Sequence, residues 1–317
     1  MTAPLPATAP HLPGPGSGPG PQALAQLRAW GSSATPPEVK AFYAPRLATQ
    51  DRSGVTLVAD QAYGPHARHR LDVYHPEGDG TDRPVLLFAH GGGFIRGDKS
   101  DRANLGWWGA QQGFVTALLN YRLAPEAMWP AGGEDVAAAW QWLRGHAARS
   151  GGDPRAIVLA GESAGAAHVA AAAFIRALQP ADWQIAGAFL MSGPYDARME
   201  RLSRDALGIA TPDPRNDAYF GAERADWSEA SILTRIDAAP FPVWVGMTER
   251  DLPNMQVQAG ALFHRLVTHH GYQPQWQVLA EHNHFSPSAS LGTEDETLAA
   301  PLAAFVRTCA RRAQASA

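Results

Sequence analysis

The chain has a single cysteine, Cys309, among its 317 residues. A lone cysteine cannot form an internal disulfide, and no cysteine cluster has the spacing of a zinc site. The fold therefore needs no oxidising compartment. A catalytic thiol requires an activating neighbour and a pocket, whereas Cys309 lies in the segment AAPLAAFVRTCARRAQ, whose pattern indicates a helix. We interpret Cys309 as a structural residue.

Long apolar runs and a surplus of basic charge are also missing. No segment approaches the ~18 apolar residues of a membrane span, and the N-terminus lacks the basic start and apolar stretch of a secretory signal. The formal net charge of −4 argues against nucleic acid or an anionic membrane as the main partner, because both favour a clustered basic surface. We expect a soluble, cytoplasmic protein that binds neither.

Residues 1–21 are dense in proline, glycine, alanine and serine, as in LPGPGSGPGP. Such a segment cannot bury enough apolar surface to offset the entropy of ordering it, which predicts a disordered tail. Ordered structure is expected from near Gln22, where ALAQLRAW has helical spacing. Residues 22–317 are predicted to form one domain, since α/β folds often reach this length as a single unit.

Short apolar runs alternate with helical patterns from Val55 onward. Runs such as VLLFA, AIVLA and GAFLM are apolar at nearly every position, which is typical of strands covered on both faces. The alternation predicts an α/β fold with a mostly parallel sheet of about eight strands and helices on both faces. No helix separates the first two strands, so that edge is expected to be antiparallel. The predicted strands are Val55–Ala59, Arg70–Tyr74, Val85–Ala89, Val115–Leu119, Ile157–Ala160, Ala186–Met191, Val243–Val245 and Trp276–Leu279.

A candidate nucleophile lies in the segment IVLAGESAG, where an apolar strand runs into Gly161-Glu162-Ser163-Ala164-Gly165 and then into an alanine-rich helix. Strand, turn and helix are the context that a G-x-S-x-G nucleophile elbow requires. Small residues on either side of the serine let strand and helix approach closely, and the helix N-terminus adds a positive dipole. Ser163 is therefore the predicted nucleophile.

A second glycine-rich segment, His90-Gly91-Gly92-Gly93-Phe94, follows the strand VLLFA. An ester carbonyl under attack becomes an oxyanion, which fixed backbone N–H groups stabilise. We expect Gly92, Gly93 and Ala164 to supply these N–H groups, and His90 to brace the loop. A phosphate-binding loop fits poorly, because the chain has neither a G-K-[ST] nor a G-x-G-x-x-G pattern.

Three motifs together resemble a known family. The order of HGGGF, NYRLAPE and GESAG resembles the hormone-sensitive-lipase-like carboxylesterases of the α/β-hydrolase superfamily. The likeness is strong from Val85 to Ala170 and looser up to residue 306. It implies the α/β-hydrolase fold, a small helical cap and a catalytic serine that needs no cofactor or metal.

The acid partner is expected in the loop after the strand VWVG, where Glu249 and Asp251 both qualify chemically. The family's chain order is serine, acid, histidine. Asp251, Pro253 and Gln258 resemble the acid loop of arylformamidase-type members of the superfamily, and this likeness favours Asp251. Glu249 is then a solvated loop charge.

The base is expected after the last strand, QWQVL, where both His282 and His284 occur. His284 matches the family's His-Phe pattern and is the predicted base, with His282 as the alternative. A metal site made by the two histidines is weakly supported, because no third ligand is apparent.

Two segments, about 22–50 and 197–235, fall outside the α/β alternation, and the resemblance implies that they form the cap. Four aromatic residues are predicted to line the substrate pocket: Trp107, Trp108, Tyr219 and Phe220. The alternative is that these rings only pack between cap and core. Glu162 is expected to order the site through hydrogen bonds.

These features predict a carboxylesterase that acts on a small-molecule ester. The likeness of both the acid loop and the histidine loop to arylformamidases makes an amide hydrolase of the kynurenine formamidase type the alternative, although HGGGF departs from the HGGYW of those relatives. A non-catalytic ligand-binding protein of the same fold is a third possibility, which the complete set of Ser163, Asp251 and His284 disfavours.

Overall fold

All eight predicted strands form, and they pair into one sheet in the order β1-β2-β4-β3-β5-β6-β7-β8. The computed structural model describes residues 18–208, 213–222 and 227–315. The predicted tail lies outside the described residues as far as residue 17. The strands are β1 (Val55–Ala62), β2 (Arg70–Pro76), β3 (Arg83–Ala89), β4 (Val115–Leu119), β5 (Gly152–Glu162), β6 (Gly187–Met191), β7 (Val243–Arg250) and β8 (Gln275–Asn283).

Helices connect most of the strands and cover both faces of the sheet. In the described part of the chain, no helix is both long enough and apolar enough to cross a membrane. The helices are α1 (Pro21–Trp30), α2 (Pro36–Leu47), α3 (Ala103–Gln111), α4 (Ala131–His146), α5 (Ala164–Phe174), α6 (Ala197–Ala206), α7 (Pro214–Phe220), α8 (Pro253–His270), α9 (Ser286–Ser290) and α10 (Glu296–Ala315).

The sheet is parallel except at β2, which pairs antiparallel with both β1 and β4. All other pairs, from β3·β4 to β7·β8, are parallel. The antiparallel edge expected from the short first connection is therefore confirmed. Parallel strands need a crossover, usually a helix, whereas antiparallel neighbours do not.

Side chains of β3 show how the core is divided. Val85 and Leu87 face the cluster formed with α4, α5 and α8, and Leu86 and Phe88 face the cluster formed with α3 and α10. Successive strand residues point to opposite faces, so an unbroken apolar run contributes side chains to the core on both faces of the sheet. Every residue of β4 and β6 is buried, whereas both edge strands, β1 and β8, have several exposed residues.

Helices also occur in both segments assigned to the cap. The first segment contains α1 and α2, whose buried Val39 and Tyr43 form a small cluster with Phe285. The second contains α6 and α7, and the ring of Tyr219 in α7 stacks on Phe94. That these helices form a cap over an active site stays a prediction.

The carboxyl ends of four parallel strands position the candidate site. The glycine loop follows β3, Ser163 follows β5, Asp251 follows β7 and His284 follows β8. Because parallel strands end at the same edge of a sheet, ligands of such folds bind outside these ends. Stretches of chain that are far apart in sequence therefore meet at one edge.

Candidate active site

The nucleophile elbow is a strained turn between β5 and α5. Ser163 has a φ of 51° and a ψ of −126°, in a region that residues other than glycine rarely adopt. Its backbone N–H donates a hydrogen bond to the carbonyl of Met191 on β6, at 2.9 Å. Strain of this kind persists only where the surroundings hold it, and it is concentrated at functional sites.

The glycines on either side of the elbow are required by close contacts. A Cβ atom at Gly161 would lie 2.5 Å from the carbonyl oxygen of Gly165, and one at Gly165 would lie 2.2 Å from that of Ala89. Any side chain would collide with backbone, which cannot move away cheaply. The two glycines therefore allow β3, β5 and α5 to approach within backbone contact.

The structure brings Ser163, His284 and Asp251 into one hydrogen-bonded chain. The Nε2 atom of His284 lies 3.0 Å from the Oγ of Ser163, and its Nδ1 lies 2.6 Å from the Oδ1 of Asp251. These contacts fit a serine hydroxyl that donates to Nε2 and an Nδ1–H that donates to the carboxylate. In this arrangement the imidazole can accept the serine proton while the carboxylate holds the ring.

The Asp251 carboxylate is almost fully buried and well supplied with donors. Its Oδ2 accepts hydrogen bonds from Ser192 Oγ at 2.5 Å and from the Thr248 N–H at 3.0 Å, and its Oδ1 accepts one from the Leu252 N–H at 2.9 Å. Burial by itself raises the pKa of this carboxyl, but the contact with His284 and the hydrogen bonds outweigh it and lower the pKa. Asp251 is therefore ionised at neutral pH.

Glu249, the other candidate acid, lies elsewhere. Its side chain is exposed, its Oε2 accepts a hydrogen bond from the Glu281 N–H at 2.7 Å, and its Oε1 lies 3.6 Å from Arg250. The geometry therefore joins Asp251, and not Glu249, to His284.

The glycine loop lies directly beside the nucleophile. A Cβ atom at Gly91 would lie 3.1 Å from the Cβ of Ser163, and Gly92 and Gly93 have φ values of 144° and 60°. Glycine adopts such angles without steric cost, so its backbone can approach the reacting group. The roles of the N–H groups of Gly92, Gly93 and Ala164 as oxyanion donors stay predictions.

His90 braces this loop from within the protein. Its Nδ1 lies 2.7 Å from the Gly91 carbonyl oxygen, while the Tyr121 hydroxyl donates to the His90 carbonyl at 2.7 Å. Burial lowers the pKa of His90 to about 4. The ring is thus neutral at physiological pH and donates Nδ1–H to the loop carbonyl.

Glu162 connects the elbow with two other parts of the site. Its Oε1 lies 2.6 Å from Arg102 Nε and accepts a 3.3 Å bond from the Gly91 N–H, and its Oε2 accepts a hydrogen bond from Ser288. Burial raises the pKa of this carboxyl, but Arg102, aided by these hydrogen bonds, lowers it overall. The ionised side chain thus ties the elbow, the glycine loop and α9 together.

The predicted substrate-lining tryptophans pack on the sheet. Trp108 is buried and its ring contacts Phe114 edge-on, and Trp107 contacts Tyr74 and lies under Arg52. These ring contacts are with residues other than Ser163 and His284, so a role in substrate binding stays a prediction for both tryptophans.

Tyr219 and Phe220 lie closer to the site but are also buried. The ring of Tyr219 stacks on Phe94 with centroids 4.3 Å apart, and Phe220 contacts Phe94, Trp129 and Trp227. These contacts show the two rings packing between α7 and the glycine loop. Contact with substrate stays a prediction for both.

His282, the alternative base, is fully buried in a separate cluster. Its Nδ1 lies 2.8 Å from Ser286 Oγ and its Nε2 lies 3.0 Å from Asp295 Oδ2. Within the described ranges, no group of three or more histidine, cysteine, aspartate or glutamate side chains could hold a metal ion. Sequence reasoning missed Asp295, Ser286 and Ser192, since no motif marks them.

Comparison with protein families identifies the class of protein. A family model described as the alpha/beta hydrolase fold matches residues 86–286. The chain therefore belongs to this family, which confirms the superfamily resemblance drawn from the three motifs. The finer likeness of the acid and histidine loops to arylformamidases stays a prediction.

Curated relatives are similar over part of their length. A probable carboxylic ester hydrolase of Mycobacterium tuberculosis, LipM, is 30% identical over 219 residues, which cover 63% of this chain and 49% of the relative. A probable isoprenylcysteine alpha-carbonyl methylesterase of Arabidopsis thaliana is 34% identical over 142 residues, 42% of this chain and 34% of that protein. The chain thus spans less than half the length of these relatives.

Solved structures match over nearly the whole chain. A hyperthermophilic esterase from the archaeon Pyrobaculum calidifontis superposes with a TM-score of 0.70 at 21% identity, covering 92% of this chain and 98% of that one. A bacterial heroin esterase gives a TM-score of 0.69 at 24% identity, covering 92% of both chains. At these identities the likeness shows the fold.

Proposed function

We propose that the protein is a carboxylesterase in which Ser163 is the nucleophile, His284 the general base and Asp251 the residue that orients the base. The single observation that carries this proposal is the continuous chain of contacts from Ser163 Oγ to His284 Nε2, at 3.0 Å, and from His284 Nδ1 to Asp251 Oδ1, at 2.6 Å. A serine hydroxyl is a weak nucleophile until such a base removes its proton.

In the first half-reaction, Ser163 Oγ attacks the ester carbonyl carbon as its proton passes to His284 Nε2. The carbonyl oxygen gains the negative charge, and the N–H groups of Gly92, Gly93 and Ala164 are proposed to stabilise it by hydrogen bonds. His284 then gives the proton to the departing alcohol oxygen, leaving an acyl-serine. Removing one such N–H donor in other enzymes costs about 10²–10³ in kcat.

In the second half-reaction, His284 takes a proton from water, which attacks the acyl-serine carbonyl carbon. The bond to Ser163 Oγ then breaks, His284 returns the proton to this oxygen, and the acid is released. The ionised Asp251 stabilises the imidazolium in both steps and keeps Nδ1 protonated. All of these steps use side chains and backbone of this chain, so the proposal requires no metal or organic cofactor.

The names of the relatives support esters as the substrate class. The mycobacterial protein is named a probable carboxylic ester hydrolase, and the plant protein a probable methylesterase. The amide alternative rests on the likeness of the histidine loop and of the acid loop, with Asp251, Pro253 and Gln258, to those of arylformamidases. Gln258 is fully buried and its Oε1 accepts backbone hydrogen bonds from Tyr195 and Asp196, which is a structural role.

A substrate panel and a covalent probe test the proposal together. Purified protein is offered p-nitrophenyl acetate, butyrate and octanoate, and separately N-formylkynurenine, with turnover followed by absorbance. Faster turnover of at least one ester is expected, and turnover of the formamide alone would favour the amide alternative. A fluorophosphonate probe, mapped by peptide mass spectrometry, is expected to modify Ser163 and to spare the buried Ser286. Modification of another serine would contradict the proposed nucleophile.

A further inference from the structure

Helix α7 lies along the proposed oxyanion loop through two residues on one of its faces. Arg215 and Tyr219 are four positions apart and so lie on the same side of the helix. The Tyr219 ring stacks on Phe94 with an interplanar angle of 4°. A Cβ atom at Gly93 would lie 2.9 Å from Arg215 Cδ and 3.2 Å from its Nη1. The guanidinium therefore lies beside the loop that carries two proposed oxyanion donors.

The orientation of this guanidinium leaves one nitrogen available. Asp213, at the N-cap of α7, accepts hydrogen bonds from Arg215 Nε at 2.9 Å and from Nη2 at 2.5 Å. Among the residues that the structure describes, none accepts a hydrogen bond from Nη1, the nitrogen beside Gly93. The Arg215 side chain is 39% exposed, so a solute can reach it.

Local helix capping explains why Arg215 pairs with Asp213, but it does not explain why Arg215 lies beside the glycine loop. Arg198 forms the same pair with Asp196 at the start of α6, with Nη2 3.0 Å from Oδ2. Among the described residues, the side chain of Arg198 donates hydrogen bonds to Asp196 and to no residue of the glycine loop. Arg198 and Arg215 thus share the same local pairing with an N-cap aspartate, but only Arg215 of the two lies beside the glycine loop.

We propose, building on the ester hydrolysis proposed above, that Arg215 determines specificity by binding a carboxylate of the substrate. The preferred substrates are then esters that carry a negative charge in the acyl or the alcohol part. Because Nη1 lies beside Gly93, one substrate molecule can place its carboxylate at Nη1 and its ester carbonyl at the glycine loop at the same time. Charge-assisted hydrogen bonds from a guanidinium to a carboxylate are about twice as strong as neutral ones, and the Asp213 contact holds the guanidinium in place before substrate arrives.

Matched ester pairs provide the test. For charge in the acyl part, mono-p-nitrophenyl adipate is compared with p-nitrophenyl hexanoate; for charge in the alcohol part, p-carboxyphenyl butyrate is compared with p-carbamoylphenyl butyrate. In at least one pair, Arg215→Gln is expected to lower kcat/KM for the anionic ester about tenfold more than for the neutral one. Arg215→Lys is expected to keep part of the preference, because it keeps the charge but loses the planar fork.

Arg198→Gln is the matched control, since it removes an equivalent pair from the neighbouring helix, and it is expected to leave the anionic-to-neutral ratio unchanged. Equal losses on both members of both pairs in Arg215→Gln would overturn this inference while leaving the esterase proposal intact. If the unmodified protein hydrolyses none of the four esters, the esterase proposal itself fails. Thermal unfolding of each variant separates folding defects from changes in selectivity.

Discussion

Two Ser–His–Asp clusters lie at the end of β8, built around His282 and His284. In the first, the His284 ring has the Asp251 carboxylate on Nδ1, at 2.6 Å, and the Ser163 hydroxyl on Nε2, at 3.0 Å. Ser163 is partly exposed at the strained elbow. Proton transfer and access to a substrate are both possible at this cluster.

In the second cluster the ring is turned around. His282 has Ser286 on Nδ1, at 2.8 Å, and Asp295 on Nε2, at 3.0 Å, the latter without the alignment of a hydrogen bond. His282 and Ser286 are 0% exposed and Asp295 is 2% exposed. No substrate can reach this serine, whose hydroxyl also accepts a hydrogen bond from the Asn283 N–H at 3.1 Å.

The comparison shows that composition does not distinguish the proposed catalytic cluster from a structural one. Ring orientation and access to solvent do. His282 lies within β8, whereas His284 lies just past its last residue, Asn283, so the alternation of side chains along a strand no longer fixes the direction of the His284 side chain. The buried cluster holds the turn that follows β8, and this turn carries His284.

Replacement of the two serines is expected to give the largest contrast. Ser163→Ala removes the nucleophile and should lower kcat for esters by more than about 10⁵-fold. Ser286→Ala removes a buried hydroxyl and should keep kcat within about tenfold while lowering the free energy of unfolding by about 1–2 kcal/mol. Steady-state kinetics and urea denaturation measure the two effects. Ester turnover retained in Ser163→Ala would remove the proposed mechanism.

Replacement of the two histidines should follow the same division. His284→Ala is expected to lower kcat by about 10⁴-fold or more with little change in stability. His282→Ala leaves the Asp295 carboxylate buried beside an empty space and should cost about 2–4 kcal/mol of unfolding free energy. If His282→Ala were the more damaging to kcat in folded protein, the assignment of the base would be wrong.

Much of the hydrogen-bonded chain of Ser163, His284 and Asp251 was accessible from the sequence because backbone requirements leave a pattern. A Cβ atom at Gly161 or Gly165 would lie 2.5 Å or less from a backbone carbonyl oxygen. Both positions therefore require glycine, and the two glycines mark the serine between them. The strands themselves, but not their order in the sheet, followed from apolar runs, since a strand buried on both faces has few polar residues. His284 could be separated from His282 by the family's His-Phe pattern.

The remaining features depend on contacts that no local pattern records. Asp295 lies beside His282 because the chain returns to it after α9. Ser192, which follows β6, donates a hydrogen bond to Asp251, which follows the neighbouring strand β7. Arg215 follows Asp213 in the same way that Arg198 follows Asp196, so the sequence does not show which arginine reaches the glycine loop. Each of these pairs is set by the packing of whole elements.

The acids offer a smaller contrast in activity. Asp251→Asn keeps the shape of the side chain but removes the charge that orients His284, and it should lower kcat by about 10³–10⁴-fold. Glu249→Gln changes an exposed residue near the end of β7 that contacts Glu281 and Arg250, and kcat should change less than about threefold. Kinetics on both variants decide between the two acids. A larger loss in Glu249→Gln would reverse the assignment.

The smallest expected effect concerns the dependence of stability on pH, and it tests whether the buried cluster is held by its carboxylate. Burial by itself raises the pKa of Asp295, but His282 and Thr297 outweigh it and lower the pKa below that of the unfolded chain. The stabilising contribution is therefore complete above the unfolded-state pKa of about 4 and is lost as the pH falls through the lower folded-state value.

Asp295→Asn removes this proton linkage. Between about pH 5 and pH 3 the unfolding free energy of the variant should fall less steeply than that of the unmodified protein, by at most about 1.4 kcal/mol per pH unit. Urea denaturation at several pH values measures the slope, and Asp82→Asn, at an exposed loop position, is the matched control. An unchanged slope in Asp295→Asn would mean that the ionised carboxylate of Asp295 does not stabilise the second cluster. The two clusters would then share residue types but not a stabilising aspartate.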